Sequence, residues 1–333
     1  MHIARWDRED QGTFDGCLAV DRAALETDDP EGPPRSARAL RAELTGHAGG
    51  VTETWCGTDA GEIRGWYRLY LPMRENLTTG ALDLVVDPGR RRRGLGTELL
   101  RHAAARAAAQ GRSRLVGEPY QAGAGAEFAK AIGARAGIPE ARRCLDVAAI
   151  PRGRIAGLRA SAAAAAVGYS LVSWTGQVPQ EHLAGVAYVR EAFNDAPSEP
   201  DEDYVHWDAQ RVREQVNARI EEYGGRRHTV AAVHDETGQM AALTDLSVDP
   251  EFPEWGLQQL TAVARPHRGH RLGLLVKAAM MERLEAAEPG LRTILTGNAD
   301  VNEHMIAINE QLGFEQVHPG WQAQSIDVAA LRG

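Results

Sequence analysis

The chain has 333 residues, 43% of them apolar, which suits two ordinary globular cores of about 150 residues each and excludes a disordered chain. Its formal net charge of −9 argues against nucleic acid as a partner. No apolar run is long enough to span a membrane, and the opening MHIARWDRED lacks the apolar core of a secretion signal, so a cytoplasmic protein is expected.

In chain order, VTETWCGT and EIRGWYRLYLP read as two strands joined by a turn. ALDLVV, residues 81–86, is a third strand. The loop DPGRRRRGLG follows it, then a helix with Leu95, Leu99, Ala103 and Ala107 at helical spacing. A strand, SRLVG, and a short helix, AGAEFAKAIGA, complete this half. Residues 151–168, PRGRIAGLRASAAAAAVG, break the chain and read as a connecting helix.

The order then repeats. RRHTVAAVHDETGQMAALTDLSV is a strand pair with DETG as its turn, and LQQLTAVA, residues 257–264, is the next strand. The loop RPHRGHRLG leads into a helix with Leu272, Val276, Ala279 and Leu284 on one side, then strand LRTILTG and helix NADVNEHMIAINEQLGF. The two units lie about 180 residues apart, which is duplication of a whole domain. The expected organisation is an N-terminal domain over 1–150, a linker over 151–168 and a C-terminal domain over 169–333. Each domain is expected to be α/β, a mixed sheet with helices on both faces.

A strand that ends in a Gly- and Arg-rich loop and enters a helix is an anion site. The first N–H groups of the helix have no intrahelical partner, and its dipole adds positive charge there. Glycine lets the backbone approach a phosphate, and arginine binds one in a bidentate way. Neither the dinucleotide fingerprint GxGxxG nor the P-loop GxxxxGK[ST] is present. The pattern in RRRGLG is Arg-x-x-Gly-x-Gly, with Arg91, Gly94 and Gly96 in the motif places.

With these residues the chain resembles the Gcn5-related N-acetyltransferase (GNAT) superfamily, whose acyl-CoA pyrophosphate loop is [Q/R]-x-x-G-x-[G/A] after the fourth strand. The resemblance covers both halves and implies two tandem GNAT domains of mycothiol synthase-like layout, each with a mixed, mostly antiparallel sheet. It implies acetyl-CoA as cofactor and a primary amine as acceptor. In the second half, Ala262, Val263 and Ala264 match the strand whose backbone holds the pantetheine arm and polarises the thioester carbonyl. Arg268, Gly269, His270, Arg271, Leu272 and Gly273 match the loop, and Asn298 and Asn302 match the asparagine that contacts the cofactor.

Two departures stand out. Arg271 occupies the place of the first motif glycine, and the loop is expected to work if Arg271 is ordinarily helical and points outward. Asn309 stands where many members have a tyrosine that protonates the leaving thiolate, and asparagine cannot deliver a proton. The first half has the intact loop, with Val86, Arg91, Arg92, Arg93, Gly94, Leu95 and Gly96 as a second candidate CoA site. Its last helix lacks both the asparagine and the tyrosine. The first half is therefore expected to be degenerate and the second catalytic.

Amine attack on a thioester needs a proton acceptor. Asp245 occupies the family's glutamate place and would suit the role if desolvation raised its pKa; Glu254 is the second choice. The segment 191–208 carries seven acids and no Arg or Lys. Within it Asp195, Tyr204 and Trp207 are candidates to clamp a cationic amine, such as an amino sugar, an antibiotic or a polyamine-like compound. Alternatives are a protein or peptide acceptor, or a CoA-binding sensor without chemistry. His267 and His270 lack further ligands at metal spacing, so no metal is expected. Cys17, Cys56 and Cys144 read as buried small residues without a disulfide framework. The assembly is expected to be a monomer or homodimer, without membrane partners.

Overall fold

The computed structural model describes residues 2–46, 48–199 and 202–331. The chain folds as two compact units, Met1–Pro139 with Trp321–Gly333, and Glu140–Gly320. This differs from the contiguous halves read from the sequence, because a strand from the C-terminal end of the chain completes the sheet of unit 1 and a strand spanning residues 135–146 completes that of unit 2.

Unit 1 runs β1 (His2–Arg5), α1 (Gln11–Asp28), α2 (Ala37–Thr45), β2 (Gly50–Asp59), β3 (Glu62–Pro72), β4 (Thr79–Val86), α3 (Leu95–Ala109), β5 (Arg114–Gly117) and α4 (Ala124–Ala131). The strands pair in sequence order, antiparallel except for parallel β4–β5. The sequence reading passed over α1 and α2. Their signals are present: Asp10 and Ser36 cap their N-termini, and Phe14, Cys17, Val20 and Ala24 bury one face of α1. Cys17 and Cys56 face each other there with sulfurs 3.3 Å apart, as free buried thiols.

Unit 2 takes its first strand from β6 (Arg135–Asp146), then α5 (Arg154–Ala165), β7 (Tyr169–Thr175) and α6 (Leu183–Glu191). α7 (Ala209–Arg211) passes through a π-helical turn into α8 (Ala218–Tyr223). β8 (Arg226–His234), β9 (Met240–Asp249), β10 (Phe252–Val263), α9 (Leu272–Ala287), β11 (Thr293–Ala299), α10 (Glu303–Leu312) and β12 (Glu315–Asp327) follow. β7 to β10 are antiparallel, β10–β11 is parallel, and β11 pairs antiparallel with β6 at Ala299↔Glu140 through Thr293↔Asp146. The matching place in unit 1, beside β5, is filled by β12, with Gln324↔Gly117 through Asp327↔Arg114. The two sheets therefore have the same order and polarity.

The expected linker 151–168 is part of unit 2. Ala162 and Ala166 of this stretch are buried in the core built by α9, α10, β9 and β11, because alanine lets α5 pack closely on α9. That layer buries α9 on nearly every side, from Leu272 to Met281. Lys277 lies within it, 3% exposed, its amine 5.2 Å from the Phe314 ring centre and without a carboxylate partner among the described residues. Burial lowers its pKa to about 7. The opposite face of the sheet packs on α6 to α8 through Trp174, Leu183, Val186, Val212 and Val216.

Candidate acyl-transfer site

In unit 2, β10 pairs with β11 only at Trp255–Leu257 against Thr293–Leu295. Beyond Leu257 the two strands separate, while Ala262 and Val263 stay paired with β9 on the other edge. In unit 1, β4 and β5 pair only at Thr79–Ala81 against Arg114–Val116. Each unit thus has a V-shaped opening whose inner strand edge is left without a neighbouring strand. An extended chain fits such an edge.

Both openings lead to a loop with the same backbone. Arg92 and Gly94 have φ of 63° and 88°, and their counterparts Gly269 and Arg271 have 89° and 55°. Each loop thus has two left-handed residues, one glycine and one arginine, in opposite order. Arg271 is not ordinarily helical, as the sequence reading expected. It takes the left-handed place of the motif glycine as the residue preceding α9, and its guanidinium reaches outward to Ser161 at 2.8 Å. The strain of a left-handed arginine is about 1–2 kcal/mol. The helices that follow, α3 and α9, have no side-chain cap, which leaves their first N–H groups to a ligand. Leu95 and Leu272 are buried and fix the helix starts.

The motif arginines do a different job from the one expected. Arg91 donates to the Val86 carbonyl at 3.3 Å and to Asp28 at 2.7 and 2.6 Å. Arg268 donates to the Val263 carbonyl at 3.2 Å and to Asp195 at 2.6 Å. Arg265 also binds Asp195, at 2.7 Å through Nε. In both units an arginine ties the loop to the strand end and to an acid at or just past the end of a helix, Asp28 of α1 or Asp195 beyond α6. Asp195, expected to bind an amine, is held below the usual carboxylate range by Arg265 and then Arg268, against the opposing effect of desolvation. Arg93 and His270 are exposed on the loops. His267 accepts or donates a 2.9 Å bond with the Tyr169 hydroxyl.

The other candidates separate. Asn309 is fully buried and donates to Asn298 Oδ1 at 2.6 Å, with its own Oδ1 unpartnered among the described residues. Asn302 caps α10 by accepting from the Met305 N–H at 3.2 Å, so its side chain is committed to the helix. Glu254 lies at the far end of β10, nine residues from Val263 and so roughly 30 Å from the loop; it is not at this site. Asp245 is 4% exposed. Its Oδ1 accepts from Arg227 at 2.7 Å and from the Leu260 N–H at 3.1 Å, an N–H that the bulge in β10 between Gln258 and Thr261 leaves without a strand partner. Oδ2 makes no hydrogen bond and lies 3.9 Å from Arg190. Tyr204 is 52% exposed and packs on His206. Trp207 has Arg190 and Arg211 at 4.7 and 4.8 Å from its ring centre, so its ring already contacts two cations of the protein itself. Arg190, Arg211 and Arg227 are the residues the sequence reading missed. Their signal was faint: Arg190 follows the apolar Val186, Ala187 and Val189 on a buried helix face.

The sequence model of the Acetyltransferase (GNAT) family matches residues 19–133. Over 98% of its length, and 98% of the other chain, the protein superposes with a TM-score of 0.80 and 29% identity on a tandem GNAT protein from the clavulanic acid biosynthesis pathway. Residues 19–133 match the GNAT family, and the chain as a whole has the tandem GNAT fold. Two structures share the fold at lower identity. A GCN5-related N-acetyltransferase from Sphaerobacter thermophilus has a TM-score of 0.65 and 14% identity, with 98% of this chain and 95% of that one covered. A putative acetyltransferase from Pyrococcus horikoshii has 0.54 and 15%, with 98% and 89% covered. No curated protein matches the sequence. The family model falls on the GNAT unit with the intact loop motif, unit 1. No helix among the described residues is long and apolar enough to cross a membrane.

Proposed function

We propose that this GNAT protein transfers an acetyl group from acetyl-CoA to the primary amine of a small molecule, and that unit 2 carries the chemistry. One observation carries the reading: a strand edge free of its neighbour leads straight to an uncapped helix start behind a doubly left-handed loop. The residues present fit the cofactor. Its pyrophosphate matches the orphan N–H groups at Leu272 and Gly273, and its pantetheine arm matches the open edge at Ala262 to Ala264. When bound, acetyl-CoA supplies an activated thioester.

The chain's own groups do the rest. Backbone N–H on the open edge orients a carbonyl and stabilises developing negative charge. Asp245 Oδ2, the oxygen without a hydrogen bond, takes up the amine proton directly or through water. Asn309 is buried, gives its hydrogen bond to Asn298 and, as an amide, cannot deliver a proton, so solvent reprotonates the thiolate. Unit 1 lacks this equipment. Val86 pairs no residue on β5, as Val263 pairs none on β11, but three residues along β3 from Gly65, the partner of Val86, stands Arg68, where Asp245 stands in unit 2. The first loop then serves as a second CoA site or as structure.

Titration calorimetry with CoA and acetyl-CoA, on the wild type and on Gly273→Asp and Gly94→Asp, tests the reading alongside CoA release with a panel of amines. Binding lost in Gly273→Asp together with loss of turnover supports it. CoA binding without turnover on any amine favours the sensor alternative, for which Asn309 speaks. No CoA binding by the wild type overturns both.

A further inference from the structure

Two arginines of unit 2 flank Asp245, although the segment that follows the first of them is acidic. Arg190, at the end of α6, has 16% of its side chain exposed, and Arg227 on β8 has 12%. Among the described residues, Asp245 is the only carboxylate within ion-pair range of either. Three acids of segment 191–208 are engaged elsewhere. Asp195 holds the loop arginines, Glu191 accepts from the Trp207 N–H, and Asp208 caps α7.

Arg190 is the unusual member. Its guanidinium makes no hydrogen bond to any described residue, and its Nε is buried without a partner. Its contacts are the 3.9 Å approach to Asp245 Oδ2 and the face of Trp207. Burial pulls its pKa down to about 10; Asp245 opposes this, while Arg227, Arg219 and Arg211 reinforce it. A buried guanidinium is normally satisfied by carboxylates or carbonyls, because its five N–H groups lose water on burial. Here the stacking on Trp207, itself backed by Arg211, holds the fork in place with nothing to bind.

We propose that the acceptor carries a carboxylate beside its amine, and that Arg190 binds this carboxylate while Asp245 Oδ2 faces the amine. The inference rests on the acyl-transfer reading above. A planar guanidinium fork matches a carboxylate in bidentate geometry. The loose Arg190–Asp245 pair presents one positive and one negative group side by side, which complements an amino acid or a similar zwitterion. The acceptor class is thus amino-carboxylate, not the polycation that the acidic composition of the second half suggests. Asp245 touches the Leu260 N–H, two residues before the Ala262 edge, so this pair stands next to where the acyl group would lie.

The test uses the full chain with CoA bound. The probes are N-acetyl-L-amino acids and their carboxamides, titrated by calorimetry. CoA release from acetyl-CoA is followed in parallel with the free amino acids, their carboxamides and the corresponding decarboxylated amines. At least one carboxylate should bind saturably, with its amide weaker by about tenfold or more. Arg190→Gln should remove that preference, and Arg190→Lys, which keeps the charge but loses the fork, should fall between. Arg190→Met should melt at or above the wild-type temperature, because it removes a buried charge that makes no hydrogen bond, and Asp245 keeps Arg227 as its partner. Equal binding of carboxylates and amides, no binding of any carboxylate, or turnover of decarboxylated amines as fast as their parents overturns the inference. A lower melting temperature for Arg190→Met with unchanged carboxylate binding also overturns it. Each of these leaves CoA binding intact, whereas failure of the acyl-transfer reading appears as loss of CoA binding itself.

Discussion

Lys277 is one of two lysines in a chain with 35 arginines, and it is buried in the core beneath α9. An arginine cannot shed its charge there, but a lysine can. Its pKa falls from the ordinary 10.5 to about 7 through burial alone. At about 1.4 kcal/mol per pH unit, that fall corresponds to at most about 5 kcal/mol of linked stability. Relaxation and an effective dielectric near 20 bring a working figure to roughly 2–3 kcal/mol. The sign follows from proton counting. Between pH 7 and 10.5 the unfolded chain holds the proton and the folded chain does not, so this contribution is fully present above pH 10.5 and is lost as pH falls through 7. Lys277→Met removes the penalty and should stabilise the protein at pH 6 by roughly 2 kcal/mol or more, with the advantage shrinking steadily up to pH 10. Urea unfolding of both proteins at matched pH values from 6 to 10 measures it. Parallel stability profiles, or a variant that is less stable at pH 6, would refute the reasoning.

At the first loop, Gly94→Ala should cost about 1 kcal/mol from its left-handed backbone alone, since a Cβ there meets nothing within 4 Å. Gly96→Ala should be nearly neutral to stability, because its Cβ would make ordinary contacts with Phe128 and Val86 at 3.6 and 3.8 Å; thermal melts distinguish the two. Asp195→Asn frees Arg265 and Arg268 and should tighten CoA by roughly three- to tenfold at low salt, an effect fading at high salt. Asp28→Asn is the matched change in unit 1, and the variant that shifts the CoA isotherm marks the loop in use. Hydrogen bonding to Cys56 and burial push the Cys17 thiol up, so Cys17 and Cys56 should resist an aromatic disulfide reagent in the native protein. All three thiols should react in denaturant, and rapid native labelling of more than one would contradict the packing.

The parts of the site that were legible in the sequence are those that a short segment specifies by itself. The loop of Arg91 to Gly96 enters α3 because its glycines and the following apolar spacing are local properties. LQQLTAVA likewise reads as a strand by itself, although β10 begins earlier, at Phe252, and is bulged against β9. What escaped depends on distant partners. β6 and β12 are rich in Arg, Gln and Pro, and nothing within 135–146 or 315–327 says which strand each will join. The conformation of Arg271 is set by a backbone that Gly94 adopts without strain in the other unit. The acidic composition around 191–208 suggested a cationic ligand, but pairing decides local charge. Asp195, Glu191 and Asp208 have their own partners, and the charges that stand beside Asp245 are those of Arg190 and Arg227.

The exchange of strands also has a consequence for biosynthesis. β5 of unit 1 waits for a neighbour about 200 residues further along the chain, whereas unit 2 has its complement of strands by β11. A ribosome releases the N-terminal unit first, yet that unit is finished last. During elongation β5 presents an unpaired edge, the kind of surface that recruits other nascent chains. A stop codon placed before residue 321 would therefore harm the domain that was translated earliest.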